Sequence, residues 1–190
     1  MRFSVALICM MVVASGCGPS EREKFEATEK LLSAWDSGVV ADHSMQDYIR
    51  ELISVGADVN ARSTDGWTPL MFAARKSTPE IVQLLLEKGA ELGARGRDGW
   101  TPLLHAAWIS STPEIVQLLL EKGEDVNARG IFGWTPLMFA ARKSSTPEMV
   151  QLLLEKGADV NARGPGDMTP LMFAASAEIK QLLIDAGAKE

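Results

Sequence analysis

Residues 66–90 read GWTPLMFAARKSTPEIVQLLLEKGA, and residues 133–158 say nearly the same again, GWTPLMFAARKSSTPEMVQLLLEKGA. A third copy, GWTPLLHAAWISSTPEIVQLLLEKGE, lies between them at 99–124. Thr68, Thr101, Thr135 and Thr169 each open a TPL, at spacings of 33, 34 and 34 residues. A fixed period of this length marks a solenoid, in which each unit buries its apolar face against its neighbours. It argues against a catalytic site, which needs unlike residues converging in stated roles.

Each unit spells two helices. Pro69, Pro102, Pro136 and Pro170 follow Thr, which predicts a Thr N-cap with Pro at the first helical position. The short first helix carries the pairs Ala73/Ala74, Ala106/Ala107, Ala140/Ala141 and Ala174/Ala175, small enough for close helix approach. A second start follows at Thr78-Pro79, Thr112-Pro113 and Thr146-Pro147, and Ser77 and Glu80 have capping-box spacing. The second helix runs through Ile81, Val82, Leu84, Leu85 and Leu86 and ends at Lys88 and Gly89. It is apolar nearly all round, so one helix pair alone cannot bury it, whereas a stack can.

TPL followed by paired Ala, a PE-led apolar block, EKG and DVNAR resembles the ankyrin repeat, with its period of about 33 and its T-P-L-H-x-A signature. The resemblance covers roughly residues 27–190. It implies an all-α ankyrin solenoid of about five repeats, with GADVNAR segments as hairpin-like loops. The expected units are 25–65 as N-terminal cap, 66–98, 99–132 and 133–166 as full repeats, and 167–190 as C-terminal cap. The first unit is degenerate, with a longer loop around Val39–Ser44, and the last lacks about three residues between its helices.

The first 20 residues, MRFSVALICMMVVASGCGPS, are a different text. One cation, a short apolar run and a small-residue end read as a secretory signal over 1–16, too short to span a bilayer. VASGC resembles the lipobox of bacterial lipoproteins, which implies a lipid on Cys17 and a membrane-anchored chain on the periplasmic or outer face. Gly18 after that Cys points to the outer membrane where the cell has one. Residues 17–24 are expected as the tether. The formal charge of −6, or −7 once Arg2 leaves with the signal (18 cations against 25 acids), disfavours a nucleic-acid partner.

Recognition is expected where the copies differ. In the ankyrin family partners meet hairpin tips and the exposed face of the first helices. Carried over by position, the tips offer Trp67, Arg97, Trp100, Ile131, Phe132 and Trp134. The first helices offer Arg75, Trp108, Ile109 and Arg142, and the variable place of the signature holds Phe72, His105 and Phe139. The Trp row has two readings that stay open here: an interface, or packing on the next hairpin. The middle repeat stands out, because Trp108/Ile109 replaces the Arg-Lys of its neighbours. The recurring Arg62, Arg95, Arg129 and Arg163 read as a basic rung facing an acidic partner or lipid headgroups, or as salt bridges to neighbouring hairpins.

No nucleophile–base set, metal-ligand spacing or phosphate loop appears in the chain, and GARGRDG at 93–99 falls on a hairpin, not between a strand and a helix. The expectation is a monomeric, noncatalytic scaffold without cofactor or metal that binds an unidentified protein. An inhibitor or immunity-type protein blocking a toxin or envelope enzyme is the alternative.

Overall fold

The computed structural model describes residues 19–35, 43–109, 113–143 and 147–189. The signal segment, Cys17, residues 39–42 of the expected loop, and the caps at Thr112 and Thr146 lie outside them. Among the described residues there are nine α-helices and no strand. In chain order they are α1 (Glu21–Ser33), α2 (His43–Ser54), α3 (Pro69–Lys76), α4 (Pro79–Glu87), α5 (Pro102–Ile109), α6 (Pro113–Glu121), α7 (Pro136–Lys143), α8 (Pro147–Glu155) and α9 (Ala177–Asp185).

The first helices begin as their sequence dictates. The hydroxyls of Thr68, Thr101 and Thr135 accept from the N–H groups of Met71, Leu104 and Met138 at 3.4, 3.4 and 3.3 Å. Each is followed by Pro, whose missing N–H costs nothing at that position. The second helices close on glycine: Gly89, Gly123, Gly157 and Gly187 all have φ near +90°, where a side chain would be strained.

Helices stack in two rows. α3 packs on α5, α5 on α7, and α7 on the last unit; behind them α4, α6, α8 and α9 form the second row. The core runs without a break through Leu70, Leu103, Leu137 and Leu171 in the first row, with Leu85, Leu119, Leu153 and Leu183 in the second. The Ala pairs of α3, α5 and α7 are buried, as close approach requires. Burying one such Leu stabilises by about 2 kcal/mol. The exposed Gln83–Glu87, Gln117–Glu121 and Gln151–Glu155 bonds on the outer row add only a few tenths each. The shared core, not the surface, holds the stack.

Two side-chain series tie one loop to the next. Arg62, Arg95 and Arg129 donate to the carbonyls of Arg95, Arg129 and Arg163 at 2.7, 2.7 and 3.0 Å. These arginines therefore link hairpins through backbone carbonyls in place of the expected salt bridges. Among the described residues the one ion pair from the series to a neighbouring loop is the loose Arg62–Glu91 contact at 3.9 Å. Asn60 donates to Gly89 O and accepts from Glu91 N, and Asn127 and Asn161 repeat this toward Gly157/Asp159 and Gly187/Lys189. The series is interrupted once, because position 93 is Gly.

Four details depart from the expectation. Helix α1 starts at Glu21, inside the segment expected as tether, because Ser20 and Glu23 form a complete capping box. Thr78 holds the N-cap place of α4 but its side chain makes no capping bond. Pro170–Phe173 forms a 3-10 turn in place of an α-helix, since the missing residues leave the chain to turn extended at Ala174 (φ −55°, ψ 116°). The hairpins are tight turns without strand pairing, each closed by at least two backbone bonds, such as Gly96 N to Trp100 O and Gly99 N to Gly96 O, both at 3.0 Å.

Candidate protein-binding face

The hairpins and first helices together form a row of interleaved aromatic rings. Trp67 lies 5.1 Å from Phe72 of its own repeat and 4.2 Å from His105 of the next. Trp100 lies 4.9 Å from His105 and 4.8 Å from Phe139, and Trp134 lies 4.6 Å from Phe139 and 4.7 Å from Phe173. Trp35, in the first unit, extends the row by stacking on Phe72 at 5.9 Å. Each hairpin Trp is thus wedged between two consecutive first helices. Aromatic pairs at such distances add about 0.5–1.5 kcal/mol beyond burial. The Trp row therefore packs between repeats, and its rings remain half-exposed.

The variable places fall in two groups. His105 and Phe139 are 1% and 4% exposed, so they lie beneath the face and support it; the sequence expectation had them on its surface. Phe72, Trp67, Trp100, Trp134, Trp108, Ile109 and Arg75 are half-buried, while Arg97 and Arg142 are exposed. Trp108 lies edge-on to Trp100 at 5.1 Å, and with Leu104, Ala107, Phe139 and Trp134 it makes a second small apolar cluster separate from the main core. Ile131 and Phe132 stand out at 47% and 75% exposed. Phe132 has φ 58°, where Asp65 and Asp98 occupy the same place without a left-handed backbone.

Arginines lie over these rings. The Arg75 guanidinium is 5.3 Å from Trp67 and 5.8 Å from Trp108, and that of Arg142 is 5.5 Å from Trp134. Cation–π attraction holds each side chain flat and in place.

Two buried titratable groups sit in the middle repeat. His105 has no hydrogen-bond partner at either ring nitrogen, and burial, with the nearby Arg75 charge, pulls its pKa down to about 3, so it is neutral. Glu124, 8% exposed, stands where the other repeats have Ala57, Ala90 and Ala158. Its Oε1 accepts from Leu103 N at 3.0 Å in the first turn of α5. Burial raises its pKa to about 7, against the lowering by Thr101 and Leu103. Sequence reasoning missed Glu124 and Gly93; both were visible as lone departures within their columns of the repeat.

Among the described residues no group of three or more His, Cys, Asp or Glu is placed to hold a metal ion, and no helix is long and apolar enough to cross a membrane. A stacked array of helix pairs, joined by turns and faced with half-exposed aromatic rings, defines a repeat solenoid of the binding-module class. The family model described as ankyrin repeats (3 copies) matches residues 39–130 and 129–190, and the chain belongs to the ankyrin-repeat family. No curated protein matches it. Ankyrin repeats are in general protein–protein interaction modules.

Proposed function

We propose that the chain is a noncatalytic scaffold, exported and held at a membrane by lipid on Cys17, that grips a partner protein through its hairpin tips and first-helix face. The observation that carries this reading is the tip at Ile131–Phe132. An exposed Phe in a left-handed conformation costs about 1–2 kcal/mol of backbone strain and gains nothing from burial. Strain of this kind is kept where a contact with another molecule uses it. The half-exposed Trp row beside the first helices supplies the anchor chemistry of an interface.

The lipid anchor is supported by the VASGC motif alone. With α1 beginning at Glu21, the stretch from Cys17 reaches at most about 14 Å when fully extended. The first unit would then lie against the bilayer surface, and the partner would work beside it. Crosslinking in intact cells with a photoreactive residue at position 132, followed by mass spectrometry, tests the partner. Cell fractionation of Cys17→Ser tests the anchor: loss of membrane retention supports it, and unaltered retention removes it.

A further inference from the structure

We infer that the first-helix face takes an acidic, extended segment of a partner protein, with an apolar side chain at its centre and carboxylates on either side. The inference rests on the reading of this face as a binding surface and adds the chemistry of what binds. Charge on the molecule is sorted by element. α3 ends in Arg75 and Lys76, α7 ends in Arg142 and Lys143, and α3, α5 and α7 contain no Asp or Glu. The row behind them exposes Glu80, Glu87, Glu114, Glu121, Glu148 and Glu155. The first-helix row therefore carries cations and no acid beside the half-exposed rings, whereas the row behind mixes its acids with the exposed Lys88, Lys122 and Lys156.

Arg75 and Arg142 are not neutralised among the described residues: no carboxylate pairs with either, and the buried Arg75 Nε has no acceptor. The hairpin carboxylates serve their own turns instead: Asp98 accepts from Trp100 N at 3.1 Å, and Asp167 pairs with Arg163 at 3.1 Å. A guanidinium lying over an indole keeps its N–H edge free of the ring, and that edge binds a carboxylate bidentately.

The order of the helices sets the order of the chemistry. α3, α5 and α7 are side-by-side neighbours, so the face runs Arg75, then Trp108 with Ile109, then Arg142. Cation, apolar pair, cation is complementary to acid, apolar residue, acid. The indoles are half-buried beneath the guanidinium groups, which suits a single side chain reaching in and not a lipid layer lying across.

The test is a random-peptide selection against the full-length protein in detergent, run in parallel on the Arg75→Gln/Arg142→Gln double variant and on Trp108→Ala. The inference expects wild-type pools enriched in Asp or Glu on both sides of an aliphatic or aromatic residue. Selected peptides should bind at least ~10-fold more weakly to the double variant, with the loss shrinking at high salt. Pools of neutral or basic peptides that lose affinity on Trp108→Ala but not on the arginine changes overturn the acidic partner while leaving the binding face standing. Pools indifferent to all three substitutions, or no enrichment at all, overturn both. Binding of phosphatidylglycerol vesicles with the same dependence on Arg75 and Arg142, and no acidic peptide recovered, assigns the face to anionic lipid and overturns the inference.

Discussion

The imidazole of His105 lies 4.2 Å from the indole of Trp67, and neither of its nitrogens has a hydrogen-bond partner. The equivalent place in the other repeats holds Phe72, Phe139 and Phe173, which keep the ring contacts without polar atoms to satisfy. His105→Phe is expected to stabilise the fold by about 1–3 kcal/mol, the cost of an unpaired buried polar group. Urea unfolding reads this directly, and a destabilised variant would show that the imidazole nitrogens are satisfied after all.

The two buried titratable groups make stability depend on pH in opposite directions. Neutral His105, with its pKa lowered from 6.5 to about 3, contributes stability that is present above about pH 6.5 and lost as pH falls toward 3. Glu124, raised from 4.5 to about 7, contributes stability that is present below about pH 4.5 and lost as pH rises to 7. Between pH 4.5 and 6.5 the two slopes oppose, so the wild-type profile should be shallow there. In Glu124→Gln stability should climb through that window; in His105→Phe it should fall. Unfolding free energies measured across pH 4–8 for the three proteins decide it, and a Glu124→Gln profile identical to wild type would contradict the account.

Restoring the missing asparagine should strengthen the joint between the repeats at 66–98 and 99–132. Gly93 has no left-handed φ, and nothing lies within 4 Å of where its Cβ would stand. An Asn there can reach Gly123 O and Asp125 N as Asn60 reaches Gly89 O and Glu91 N, at 2.9 and 2.7 Å. Gly93→Asn is expected to add about 1–2 kcal/mol, from hydrogen bonding and from a less flexible unfolded chain. An unchanged urea midpoint would mean the loop does not need the link.

Position within the second helix should decide the cost of truncation. Leu119 is fully buried in the shared core, while Gln117, two residues earlier, faces solvent. Leu119→Ala should cost about 2–5 kcal/mol and Gln117→Ala a few tenths. Similar small losses at both would be incompatible with a continuous core.

The period, the Thr-Pro pairs and the Gly stops located the helices that start at Pro69, Pro79, Pro102, Pro113, Pro136 and Pro147, because each is a local signal repeated in register. What the sequence did not reveal is set by contacts between copies. His105 and Phe139 looked like surface positions because the family tolerates many residues there; the Trp of the preceding repeat, packing on them together with their own repeat's Trp, puts them beneath the face. The arginine series read as a basic rung or as salt bridges to neighbouring hairpins, since nothing in one repeat indicates that a backbone carbonyl one period ahead will meet its guanidinium. The last unit's 3-10 turn follows from a deletion whose effect on the preceding helix depends on the packing of α7 against it.

The central claim is that the core holds the stack while the outward face is kept for another molecule, at some expense in stability. Phe132→Asn, which suits φ 58° and removes the exposed ring, separates the two most directly. Thermal unfolding and in-cell crosslinking, with the photoreactive residue moved to position 97, should together show a melting temperature held or raised and a partner yield sharply reduced. A lowered melting temperature with the partner still recovered in full would contradict the account.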